Sequence, residues 1–279
     1  MTDVRAQWGD WIENRPSRGL RGLDLGELWH YRELVGFLAL RDLKVRYKQA
    51  AFGVAWALLQ PLAGVVVFTL VFRRVAGVPS DGIPYPLFSF ANLAVWSYLS
   101  AAVIKATQSL VANSTLVTKV YFPRFVAPLA AVMPGLIDLF LSLLFLAILI
   151  LFYGGDPTWA TLTLPLWIMA VVTVALAVGL WLGALNVRYR DVNQVISLVV
   201  QLWLFLSPVA YPTSEIPKQW QYVYSLNPMT GVLEGFRWAL LGGPWRGDIV
   251  LLSMTVTLLV LGSGILYFQS VERRFADVI

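Results

Sequence analysis

Six runs of this chain stay apolar for roughly 18 to 22 residues, the length a helix needs to cross about 30 Å of hydrocarbon. They predict spans at about Gly53–Phe72, Leu87–Ile104, Pro134–Tyr153, Leu164–Leu185, Val192–Tyr211 and Ile249–Gln269. Because the runs are continuous, helices account for them and the alternating strands of a barrel do not. The pattern changes in two places between them. Before the first run, Asp24 and Glu27 have the spacing of a capping box. On the helix that follows, Leu40, Leu43 and Tyr47 share one face and Arg41, Lys44 and Lys48 another. That segment is expected to lie along the membrane interface. Between the fifth and sixth runs, Asn227-Pro228 opens and Gly242-Gly243-Pro244 closes a helix of about 14 residues, with Met229, Val232, Leu233, Phe236 and Leu240 at helical spacing. A helix too short to span predicts a re-entrant hairpin there.

The expected fold is therefore an all-α integral membrane protein. An arm covers 1–23, an amphipathic interfacial helix 24–51, and a six-helix transmembrane domain 52–279. Composition excludes a water-soluble alternative: 58% of residues are hydrophobic, 13% charged, and the mean hydropathy is +0.69. Of the 21 Lys and Arg, 16 fall before the first run, in the second and fourth connections and after the last run; five fall in the other connections. By the positive-inside rule both termini are cytoplasmic. Met1–Ala50 is polar and charged, so no cleavable signal peptide is expected. The net charge of +5 follows from this bias and from contact with anionic lipid, and nucleic acid is not needed to explain it. Cysteine is absent and His30 is the single histidine, which excludes disulfides, thiolate sites and multi-histidine metal clusters within the chain.

Polar groups in lipid are costly, so those inside spans should face protein or water. Three stripes at helical spacing qualify: Trp56, Gln60 and Gly64; Asn92, Trp96 and Ser100; and Gln194, Ser197, Gln201, Phe205 and Pro208. The second reads as helix packing. The first and third read as a pathway, because each adds large amphipathic side chains (Trp56; Trp203, Phe205, Tyr211) and a proline. Gly179 and Gly183 read as close helix packing, Trp167 and Trp220 as interfacial anchors. Asp138 is the one acidic residue inside a predicted span. In the second connection, a short helix from Ser114 to Val120, stopped by Pro123, predicts a protruding handle for a soluble partner. The chain contains no GxxxxGK(S/T) phosphate loop, no HExxH and no GxSxG, so no catalytic activity is expected and any work must be powered from elsewhere.

The segments Arg41-Asp42-Leu43-Lys44-Val45-Arg46-Tyr47-Lys48-Gln49, Phe52-Gly53, Trp56-Ala57 and Gln60-Pro61 resemble the membrane subunit of ABC-2 type exporters. Among these the chain is most similar to the polysaccharide and polyol-phosphate exporters of O-antigen, teichoic acid or capsule. Further matches in the family's order are Thr118–Arg124, Gly183–Asp191, Ser207-Pro208-Val209, Tyr211-Pro212, Leu226–Met229 and the tail Glu272–Ile279. Met1 to about Leu23 lies outside the resemblance. It implies a homodimer in the bacterial inner (plasma) membrane, with two copies of an ATPase subunit that binds ATP and Mg, and no cofactor in this chain. Ser114, Thr115, Thr118, Lys119, Phe122, Pro123 and Arg124 would form the ATPase coupling helix. Arg41, Lys44, Arg46, Tyr47 and Lys48 would form the entrance, where cations meet the pyrophosphate of a lipid-linked glycan. Trp56, Gln60, Gln201, Trp203, Phe205 and Tyr211 would line the channel. The competing readings are a membrane-bound glycan transferase, a secondary carrier or channel, and an ABC-2 exporter of a smaller lipid or drug.

Overall fold

Where the sequence is most apolar the chain is helical, and a computed structural model describes residues 25–48, 55–120, 122–155, 158–189 and 191–272 of it. The arm 1–23, the cap Asp24 and the tail 273–279 lie outside the described residues, which contain no strand. Two short helices, α1 (Leu25–His30) and α2 (Arg32–Lys48), precede α3 (Trp56–Phe68), which continues as a π-helical stretch over Thr69–Val75. Then come α4 (Tyr85–Ala112), α5 (Ser114–Lys119), α6 (Val126–Val132) and α7 (Gly135–Phe152). A 3₁₀ turn, Trp159–Thr163, leads into α8 (Leu164–Arg188). The remainder is α9 (Val192–Phe205), α10 (Lys218–Tyr224), α11 (Pro228–Leu241) and α12 (Gly247–Glu272).

Five segments are long and apolar enough to cross a bilayer: Trp56–Val75, Tyr85–Ala112, Val126–Phe152, Trp159–Arg188 and Gly247–Glu272. The chain is thus a multi-pass membrane protein. The fifth predicted span differs from expectation, because α9 has 14 residues and ends at Phe205 instead of Tyr211. At about 1.5 Å per residue it reaches roughly 21 Å. The cause is local: Pro208 has no N–H to give to the preceding turn, and its ring disfavours helical geometry at Ser207.

The core is α4, buried along most of its length and packed against α3, α6, α7, α8, α9 and α11. Its closest neighbour is α8, and glycine permits the approach: a Cβ at Gly179 would lie 2.5 Å from that of Ala106. Asn186 at the same interface donates to the Thr107 carbonyl. Gly179 and Gly183 thus act in packing, as their spacing suggests. Trp167 is corrected: expected as an interfacial anchor, it is buried against α11, and its indole donates to Thr163. From Met229 to Arg237, α11 is buried on every side, enclosed by α4, α8 and α12.

On α2, which packs against α6, Leu38 is buried and Leu34 and Val35 are half-buried, with Tyr31 beside them just before the helix, while Leu40 is 57% exposed. The face therefore begins one turn earlier than Leu40, Leu43 and Tyr47 suggested.

Candidate functional site

Four of the five residues expected at an entrance are charged, and the structure sorts them into two kinds. Arg41 bonds the adjacent Asp42 at 2.7 Å and the side-chain oxygen of Asn113 at 2.9 Å, which ties α2 to the cap of α5. Arg46 meets Asp138, in the first turn of α7, at 2.6 Å. Tyr47 donates to the other Asp138 oxygen in a short hydrogen bond. Burial first, then the Asp138 bond and charge, push the Tyr47 phenol up to about 12, so it remains the donor. Lys44 and Lys48 are exposed and make no ion pair among the described residues. Asp138, an isolated carboxylate in the sequence, is the residue that docks the end of α2 onto a crossing helix.

The expected short helix forms as α5, Ser114–Lys119, one residue after the end of α4. Thr115, Thr118 and Lys119 project outward, Ser114 is half-buried, and Phe122 and Val117 are buried as anchors. Pro123 and Arg124 are half-buried. The Arg124 guanidinium donates to the Val117 carbonyl at 2.6 Å and its backbone N–H to Glu272 at the end of α12. A push on α5 is therefore carried by bonded contacts to α2 and α12.

The expected pathway residues separate by exposure. Trp56, Gln60, Gln201 and Phe205 face outward from the subunit, as do Gln194 and Ser197. Trp203 turns inward, edge-on to Trp96 at 5.6 Å, and donates to Asn227. Tyr211 is half-buried and donates to the Phe205 carbonyl. Asn92, read as packing, is fully buried and donates to the Val209 carbonyl.

The break after α9 is a site that sequence reasoning missed. Backbone left unbonded in an apolar setting costs several kcal/mol per group, and here side chains bond it carbonyl by carbonyl. Leu206 accepts from Asn227, Pro208 from Arg237, Val209 from Asn92 and Ala210 from Tyr85. Arg237 is buried with Glu234, three residues earlier on α11, and sits 5.2 Å over the Phe88 ring. The available signal was an acid and a base at i,i+3 on an otherwise apolar helix.

A bundle of crossing helices with a docked N-terminal helix, an outward-projecting α5 and polar residues on its outer faces is the architecture of a multi-pass membrane protein. Residues 33–241 match the ABC-2 type transporter family, and the chain belongs to it. It is 32% identical over 260 residues to the O-antigen export system permease protein RfbA of Myxococcus xanthus, covering 91% of this chain and 98% of that one. A Klebsiella pneumoniae protein of the same name is 24% identical over 88% of this chain and 95% of its own. The polysialic acid transport protein KpsM of Escherichia coli is 24% identical over 74% of this chain and 80% of its own. ABC-2 permeases of such exporters work with an ABC ATPase partner.

Proposed function

We propose that this chain is the membrane subunit of an ATP-driven exporter that moves a lipid-linked polysaccharide, of O-antigen or capsule type, across the bacterial inner membrane. The observation that carries the reading is the near full-length similarity to permeases named for O-antigen export. Both termini face the cytoplasm, a reading the Lys and Arg distribution supports. α5 then seats in the ATPase, and α2 presents its cations to a phosphorylated lipid head at the inner leaflet. On the far side, α10 and α11 re-enter the membrane, and α9 with the bonded break after it completes a sixth crossing. The chain itself supplies no hydrolytic chemistry. ATP and Mg are held by the partner, two copies of which serve two copies of this chain.

The case for two copies is physical. Gln60, Gln194, Ser197 and Gln201 lie on exposed faces of apolar helices, where lipid would leave their amides and hydroxyl unsatisfied. A second subunit enclosing a wet conduit covers them. Trp56 and Phe205, exposed on the same helices, offer flat faces to sugar rings, and weak repeated contacts suit a long polymer.

The native chain lacks cysteine, so Gln201→Cys introduces a single thiol. Mild oxidation of membranes should yield a cross-linked dimer through it, and a product that stays monomeric would remove α9 from the dimer face. Purification from native membranes should bring down an ATPase subunit. In that complex, Trp56→Ala and Phe205→Ala should lower glycan-stimulated ATP hydrolysis several-fold with basal hydrolysis retained; no change in either would return both residues to packing. A carrier or a transferase would copurify with no ATPase.

A further inference from the structure

Cations at an inner leaflet face a selection problem. Ordinary anionic phospholipids are abundant there, and each attracts an unguarded arginine by about 1 kcal/mol, so they compete for it by number. We propose that Asp138 guards Arg46. The carboxylate fills the guanidinium in the unloaded subunit, so that a doubly charged lipid pyrophosphate takes the arginine over and a singly charged phospholipid head does not. The inference rests on the entrance described above and adds to it the group that sets its selectivity.

Three observations support the guard. First, both arginines of the basic stretch 41–48 are held by carboxylates, Arg41 by Asp42 and Arg46 by Asp138, while the two lysines are not. Lysine is a compact point charge that gathers any anion. Arginine is a planar fork suited to bidentate phosphate recognition, and it is the arginines that are masked. Second, the pair is asymmetric. The Arg46 side chain is 46% exposed and that of Asp138 15%, so the guanidinium is open to a ligand on its outer side while its inner side is held. Exchange needs no unfolding. Third, Asp138 has a second partner in Tyr47, whose phenol stays protonated. That donor fixes the carboxylate beside Arg46, so the guard depends on Tyr47 as well as on the ion pair.

The test uses the subunit with its ATPase in phosphatidylcholine nanodiscs, and compares binding of farnesyl pyrophosphate, phosphatidylglycerol and inorganic pyrophosphate. Arg46→Gln should weaken farnesyl pyrophosphate binding by about tenfold, the loss of roughly one charge-assisted contact. Asp138→Asn should act in the opposite direction. It should tighten farnesyl pyrophosphate a few-fold and phosphatidylglycerol by about tenfold, so that the preference between them collapses. Tyr47→Phe, which loosens Asp138 without removing a charge, should move the same way by a smaller factor. It keeps the test available should Asp138→Asn fold poorly. Inorganic pyrophosphate should compete at least tenfold less well, because it lacks the membrane anchor; equal competition would overturn the lipid head as ligand. If Asp138→Asn and Tyr47→Phe weaken binding together with Arg46→Gln, Asp138 only positions Arg46 and the guard is refuted. If the unmodified complex binds no lipid pyrophosphate at all, the entrance itself is refuted.

Discussion

Arg237→Met should abolish export and sharply reduce the amount of folded protein, although position 237 does not touch the entrance. Methionine keeps much of the volume and none of the charge. The change leaves Glu234 buried without its partner and removes the donor to the Pro208 carbonyl at 2.9 Å. Breaking a buried pair by removing one member costs about 3–5 kcal/mol, and an orphaned buried carbonyl costs about 1–3 kcal/mol more. The break after α9 would then lose one of the bonds that hold it, and with it the geometry that aims Phe205 and Tyr211. The same reasoning predicts partial rescue. Glu234→Leu combined with Arg237→Met removes both charges, and the double variant should recover most of the thermal midpoint while Pro208 keeps a residual deficit. Thermal unfolding in detergent, read beside surface polysaccharide, separates the two. A wild-type midpoint in Arg237→Met would mean that the pair contributes nothing to the fold.

Much of the architecture was legible because burial in lipid imposes long uninterrupted apolar runs, and five of six became long helices near the expected bounds. The Asn227 cap is another legible feature: its side chain accepts from the Met229 N–H, and Gly242 closes α11 in the left-handed region at φ 65. α5 was legible from Pro123, which stops a short helix opening at Ser114. What the pattern could not give was partnership at a distance. Tyr47 and Asp138 are separated by 91 residues, and hydropathy carries no information about which carboxylate meets which cation. Periodicity also misjudged direction. Trp203 turns inward on a helix whose Phe205 faces outward, and Leu40 turns outward, off the packed face, so period alone did not assign either side chain its neighbour. The apolar tract 192–211 looked like one span because hydrophobicity persists through Ser207-Pro208, where backbone geometry ends the helix.

The other large effect is expected from the smallest change, Gly235→Ala on α11. A Cβ built there lies 2.2 Å from the nearest atom of the Trp167 ring, well inside van der Waals contact. The ring has little freedom to withdraw. It is 3% exposed, its Nε1–H donates to Thr163 at 3.0 Å, and Trp245 packs beside it at 6.2 Å between centroids. Overpacking a tight core usually costs about 1–3 kcal/mol, and a pinned indole places this site at the upper end or beyond. The displaced unit would be α11 as a whole, which carries Arg237 and is capped by Asn227, so the loss should reach export as well as stability. Gly262→Ala on α12 supplies a control of opposite sign. Nothing lies within 4 Å of its Cβ, and alanine should stabilise that helix by roughly 0.5–1 kcal/mol through propensity alone. Trp167→Leu, destabilising by itself, should become less so in the Gly235→Ala background, because the two positions compete for one space. Equal thermal midpoints for Gly235→Ala and Gly262→Ala would show that α8 and α11 are not in close contact, and the enclosed position of α11 would have to be abandoned.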